Sequence, residues 1–419
     1  NIHTFDSGIV TEEIFKEDLL SFGPNGEVDY TGRPTSIFFE YQNKDIGLFK
    51  NDFVSLLKLA EDIQSAGKLF EVTGIEFIYK TIFKWMQEKY IGKNDKELCD
   101  WLIEKFGESI NYFEIWVPIA HTIIEEQFEI GIVRFINLSK EILNKWESRL
   151  LEIAKDDEHR ESIKTLIEKE RNDKQGRAVS VVTIEAEKDY ASEIAFKKVE
   201  EALCILRLFS PSAYFININS FTTILGRENL EKVECYYISN GCMETHFISL
   251  LESTQIDWYI DKSMISLIKN PGLLHLNELL KNNKRNQFQE KILNAIVLFS
   301  KSTLMKNVSD KLVYIFTSLE SILLRNETES IQQNVSERIA FAISQNGAKR
   351  MEIAKTIKTV YSFRSKYIHH GLVTDEINIL NDFMKIVIDF IFSLISNCNN
   401  FNTKDDMITA IEKMKYGAK

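Results

Sequence analysis

The sequence predicts an α+β protein, with a mixed α/β region over residues 1–285 followed by an all-α helical bundle over 286–419. Two observations predict it. Strand-like and helix-like periodicities alternate up to about residue 260, and from Lys262 onward only the helical spacing of three and four survives. The polar stretch Asn282-Asn283-Lys284-Arg285-Asn286 marks the junction. It leaves a C-terminal unit of about 130 residues, an ordinary size for one bundle. A sub-boundary is expected near 110, where helical spacing gives way to β-rich runs.

Residues 1–50 read as short strands and turns, with turn signals at Gly23-Pro24-Asn25-Gly26 and Gly32-Arg33-Pro34 and a strand over 36–41. Helices are predicted over 52–66, 74–90 and 95–110. Residues 112–119 and 127–136 are rich in β-branched and aromatic side chains and read as strands. Pro118 cannot donate to a ladder, so it ends the first of these or places it at an edge. One long charged helix is expected over 139–171, then a strand over 178–185 and a helix over 189–209. Beyond the turn Ser210-Pro211-Ser212, runs at 214–218, 234–238 and 257–260 are strand-like. The helices of the bundle fall near 262–269, 272–283, 287–303, 308–325, 332–346, 350–370, 376–397 and 404–416.

Composition narrows the class. Hydrophobic content of 44% with 27% charge is that of a globular chain, not a disordered one. The five cysteines are scattered without a Cys-x-x-Cys pair, which argues against a zinc ribbon or disulfide scaffold and for a reducing cytoplasm. No signal peptide is read at the start, and the most apolar long run, 383–395, is short and interrupted by Lys385 and Asp389, so no membrane span is expected. The net charge is −11, but residues 291–419 hold 17 basic against 13 acidic side chains. The acidity therefore lies in the first two thirds, and the last third permits an RNA-binding surface. No metal-ligand spacing or phosphate-cradling glycine loop is present, and no cofactor is implied. His3, His121, His159, His246 and His275 sit in no motif and read as ordinary surface or partly buried histidines.

The chemistry collects at 350–371. Ile353, Ile357, Val360, Tyr361, Tyr367 and Ile368 give this stretch an apolar face, and Gly371 follows as a left-handed helix stop. Arg364, Ser365, His369 and His370 crowd the last two turns. Arg364 and His369 are about 7.5 Å apart along a helix axis and roughly 140° apart around it. Arginine suits bidentate phosphate binding, and histidine can take a ribose 2′-hydroxyl proton or protonate a leaving oxygen. The same residues are also ordinary complements to a helix C-terminal dipole.

Arg364-Ser-Lys-Tyr-Ile-His369-His370-Gly371 resembles the Arg-x4–6-His motif of HEPN-domain ribonucleases, closest to the ApeA-like HEPN group. Tyr361-Ser-Phe-Arg364 resembles the approach to that motif, the helix ending Leu319-Glu320-Ser-Ile-Leu-Leu324 an early helix of the family, and Glu337-Arg-Ile-Ala340 the helix between. The resemblance covers about 300–398. It implies an all-α bundle that dimerises so that two motifs face one cleft. It implies a metal-independent endoribonuclease acting by 2′-hydroxyl transesterification in anti-phage (abortive infection) or toxin-like defence. Arg364 would hold the scissile phosphate, His369 would be the acid/base with His370 as the alternative, and Ser365 and Tyr361 would support them. Glu320 would orient Arg364 through a buried ion pair, or stand as a surface carboxylate. The implied partners are a second copy, an RNA substrate (tRNA among the candidates) and a trigger or inhibitor sensed by the N-terminal region. The alternative is a non-catalytic dimer of this type that binds RNA, a nucleotide or a protein.

Overall fold

The computed structural model describes residues 34–226 and 257–417, except 67–68, 270, 282–283 and 375, together with the strand segments 3–6, 20–21, 27–28, 232–239 and 242–249. The chain divides into two units, Asn1–Ile115 with Thr183–Ala195, and Trp116–Val182 with Phe196–Lys419. The polar stretch at 285 lies inside the second unit.

The first unit opens with β1 (His3–Asp6), β2 (Leu20–Ser21) and β3 (Glu27–Val28), then β4 (Ser36–Tyr41) and β5 (Lys44–Phe49). Strands β1, β5 and β4 form an antiparallel sheet in that order. The β4–β5 turn has only two residues, Gln42 and Asn43, both left-handed at φ 53° and 58°. A turn of that hand matches the twist of the strands it joins. Gly47 is dictated by close approach, since a Cβ there would lie 2.1 Å from the Ile37 carbonyl oxygen. Helices α1 (Asn51–Ala66), α2 (Ile75–Tyr90) and α3 (Leu98–Ser109) follow where the spacing predicts them. Their apolar faces join β4 and β5 in one core, with Phe39, Leu48, Phe53, Ile78, Phe83 and Trp101 buried.

The next elements are β6 (Asn111–Pro118), β7 (Thr122–Ile124), β8 (Phe128–Ile130), β9 (Val133–Asn137), α4 (Lys140–Glu152), α5 (Asp157–Lys174), β10 (Ala178–Ala186) and α6 (Lys188–Leu206). Strand order is β6-β10-β9-β8, and the division between units passes through β6 and β10. Pro118 ends β6, and β6 is an edge, as a residue without an N–H requires. The run 127–136 is not one strand but the β8–β9 hairpin, turned at Gly131 with φ 62°. The single helix expected over 139–171 is two helices. Asp156 starts the second by accepting the His159 N–H at 2.8 Å, a side-chain cap that begins a helix as readily as it interrupts one.

Strands β11 (Lys232–Ser239) and β12 (Cys242–Ser249) pair antiparallel, and β13 (Trp258–Ile260) pairs parallel with β7. Strands β7 and β12 had no separate signal in the sequence. The strand expected over 214–218 is instead irregular backbone after a short 3-10 turn, Pro211–Ala213. The carbonyls of Ile216 and Ile218 accept hydrogen bonds from the Lys311 Nζ at 2.7 and 2.6 Å, so they are not available to a ladder.

After β13 every described element is a helix: α7 (Lys262–Ile268), α8 (Pro271–Lys281), α9 (Gln287–Leu304), α10 (Val308–Leu323), α11 (Ile331–Ile343), α12 (Gly347–His370), α13 (Ile377–Ser396) and α14 (Lys404–Lys415). Phe288, Phe299, Phe316, Phe383 and Phe390 are completely buried among them. Among the described residues no helix is long and apolar enough to cross a membrane.

Lys311 is the cation most deeply buried in this region, at 1% exposure. Burial pushes its amine down from 10.5 to about 8. A neutral amine keeps two N–H groups, enough for both carbonyls. The folded value lies below the unfolded one, so the unfolded chain binds more protons between them. The contribution of Lys311 to stability is full above pH 10.5 and is lost as pH falls through about 8. The difference in Tm between wild type and Lys311→Met should therefore grow in favour of wild type from pH 7.5 to pH 10. A difference that stays flat across that range contradicts the assignment.

Candidate functional site

Helix α12 is fixed at both ends. Asn346 caps its start by accepting the Lys349 N–H at 3.0 Å. Gly371 closes it at φ 66°, its N–H donating to the Tyr367 carbonyl at 2.8 Å. Between them Ile353, Ile357 and Val360 are buried. That row advances by four and three residues, and four more reach Arg364, so Arg364 continues on the face turned to the bundle.

There its guanidinium meets Glu320 of α10, Nη2 to Oε1 at 3.7 Å, and stands 5.7 Å from the centre of the Tyr361 ring. Tyr361 in turn packs edge-on against Phe316 at 5.2 Å, and Phe316 stacks on Phe383. The aromatic run thus braces the arginine from beneath. The ion pair is too long for a hydrogen bond, and both Glu320 Oε1 and Arg364 Nε are buried with no hydrogen-bond partner. Desolvation pushes the Glu320 carboxyl above its ordinary range, and the Arg364 charge pulls it back. The pair therefore holds spare hydrogen-bonding capacity in a low-dielectric setting, where an unfilled donor or acceptor costs about 1–3 kcal/mol. Glu320 also lines an open groove of about 790 Å³ with Thr317, Ser321, Arg325 and Lys404.

The other predicted residues go elsewhere. Ser365 is half-buried. His369 and His370 are exposed in the last turn, their rings 6.3 Å apart. The structure brings Arg364, Glu320 and Tyr361 together and leaves both histidines in solvent. The apolar face expected to run through Ile368 does not, since Ile368 is 46% exposed. The cause is not angular, since position 368 lies only about 20° around the axis from Ile357; the buried row Ile353, Ile357 and Val360 simply ends before the last two turns of the helix. Tyr367 is not core either: its hydroxyl donates to Asp310 at 3.0 Å, and that contact raises its pKa. Asp310 gave no signal in the sequence, because only the fold brings residue 310 beside residue 367.

In the first unit, a cavity of about 420 Å³ is lined by Phe77, Lys80, Trp101, Lys105, Glu187 and Tyr190 among others. Its polar groups are largely engaged. The Trp101 indole donates to the Thr81 carbonyl, Lys80 pairs with Glu76 and Lys105 with Glu108, and Glu187 accepts the N–H groups that open α6. Among the described residues no three His, Cys, Asp or Glu side chains gather to hold a metal ion. No family model matches the chain, no curated protein is similar to it, and no solved structure matches its fold.

Proposed function

We propose that the chain is a metal-independent endoribonuclease of the HEPN type. The observation that supports this reading is the Arg364–Glu320 pair, held at 3.7 Å near the end of α12 with unfilled hydrogen-bonding capacity, one turn before two solvent-facing histidines. In this reading the guanidinium takes a scissile phosphate in place of the long contact to Glu320. One histidine accepts the ribose 2′-hydroxyl proton. The 2′ oxygen attacks phosphorus, the bond to the 5′ oxygen breaks, and a second, protonated histidine supplies the proton to that oxygen. His369 is the residue proposed for this role, with His370 as the alternative. Arg364 and the histidines point to different sides of one helix, so a second copy of the chain facing the same cleft would complete the set. The role in bacterial anti-phage or toxin-like defence rests on the motif resemblance, and the cytoplasmic location on the scattered cysteines. The first unit is proposed to receive the trigger.

Purified protein incubated with total RNA in EDTA tests this. Cleavage is expected with products ending in a 2′,3′-cyclic phosphate or 3′-phosphate. Products ending in a 3′-hydroxyl would exclude the mechanism. A second reading, a dimer that binds RNA or a protein without cutting, is favoured by one fact: Arg364 is already engaged with a carboxylate. RNA retention with no cleavage in any trigger condition would select it.

A further inference from the structure

The chain carries a net charge of −11, yet α12 gathers six basic side chains, Lys349, Arg350, Lys355, Lys358, Arg364 and Lys366, with only Glu352 to oppose them. Lys349 holds Glu352 at 3.2 Å. Two of the others form a line, and a third lies beside it. Lys355 and Lys366 are eleven residues apart, so they lie about 16 Å apart along the axis and within roughly 20° around it. Both are exposed, and among the described residues neither makes an ion pair. Lys358 flanks them. Its ammonium donates to the neutral Gln333 Oε1 at 2.9 Å, a contact that leaves its charge uncompensated. Beside Lys355 and Lys358 the surface forms an open groove of about 470 Å³ with Met351, Ala354 and Thr359.

The placement follows from the helical period. The row Ile353, Ile357 and Val360 is buried, and Lys355 and Lys366 lie on the opposite side. His369 follows Lys366 by three residues and is exposed on the same flank. Uncompensated cations therefore run along one flank of the helix, two in line and one beside them, for three turns and end at the candidate catalytic histidine.

We propose that this line is the track for the phosphate backbone of single-stranded RNA, extending away from the cleavage point. The proposal rests on the nuclease reading for the identity of the polyanion, while the line itself stands on charge and geometry. A narrow flank with two lysines in line and a third beside them fits one strand. Lysine is a mobile point charge on a long stem, so the track binds phosphate without reading sequence. It also answers how an acidic chain holds RNA: the repulsive charge is elsewhere, and this helix face is locally cationic.

The test uses the full chain carrying His369→Ala and His370→Ala, so that nothing is cut, and a fluorescein-labelled single-stranded RNA of mixed sequence read by anisotropy from 50 to 300 mM KCl. Binding should weaken with salt. Each lysine contact contributes about −0.7 to the slope of log K against log salt for a single strand. The triple change Lys355→Gln, Lys358→Gln and Lys366→Gln should flatten the slope by about 2 units and weaken binding at least tenfold at 100 mM. The matching triple Lys→Arg variant should bind like its parent, which separates charge from folding. Failure of the parent to bind, or equal binding by the Gln variant, overturns the proposal. So does a lysine-dependent preference for phosphatidylserine vesicles over RNA. The wild-type cleavage assay is independent: track binding without cleavage removes the nuclease reading alone, and cleavage indifferent to the three lysines removes the track alone.

Discussion

Arg364→Ala should abolish RNA cleavage, by at least a hundredfold, and should also lower stability at neutral pH. The first effect follows because the guanidinium is the group that would neutralise charge developing on phosphorus, and one preorganised donor of that kind is worth roughly 10²–10³ in rate. The second follows from Glu320. Burial already holds its carboxyl high, and Arg364 is the charge that pulls it down. Without Arg364 the folded pKa rises further, so the folded state binds a proton that the unfolded chain has released. Stability from the neutral form is present below the ordinary carboxylate range and is lost as pH rises through the folded value. The double variant Arg364→Ala with Glu320→Gln should therefore regain most of the Tm lost at pH 7 while remaining inactive. Cleavage by Arg364→Ala at the wild-type rate contradicts the proposed function. A double variant no more stable than the single contradicts the electrostatic account of Glu320.

Arg338→Ala should be among the most destabilising single changes in the second unit, by about 3 kcal/mol or more, the usual consequence of removing one member of a buried ion pair. Arg338 is 4% exposed on α11. It donates to both carboxylate oxygens of Glu329 at 2.7 and 2.8 Å and to Glu412 of α14 at 2.9 Å. The Glu329 carboxyl is lowered to about 2, chiefly by the Arg338 hydrogen bonds. Its stabilisation is present above its ordinary 4.5 and lost as pH falls through about 2. Urea unfolding at pH 7 and pH 3 should thus show a gap between wild type and Arg338→Ala that narrows at the lower pH. A gap of equal size at both would place the loss in packing instead.

The helices were legible because their signal is local. Apolar spacing and the glycine at 371 lie within a few residues of what they determine, whereas the cap Asn346, which starts a helix, falls where the spacing alone places the end of one. What stayed hidden depends on contacts distant in sequence. Strands 214–218 and 127–136 failed because Lys311 claims two carbonyls of one, and a single left-handed glycine folds the other in half. The break at 153–156 leaves no mark in the spacing because a charged sequence rich in Glu and Lys favours helix on both sides of a cap. At the site, Arg364 and Glu320 could be named in advance. That Arg364 belongs to the buried row, and the histidines to the open flank, required the phase of the helix. Counting 353, 357, 360, 364 would have supplied it.

That phase makes α12 an indexed shaft. Three buried side chains key it against the bundle, and Arg364 sits one notch further along. Inserting one residue among positions 361–363 would turn the arginine by about 100° and carry it off Glu320, with the key untouched. Inserting four would bring it back to within about 40° but displace it by about 6 Å. The spacing between key and arginine is thus as much a part of the site as the arginine itself, and length variation in these three positions should cost the fold about what loss of the Arg364 charge beside Glu320 costs, while abolishing the function.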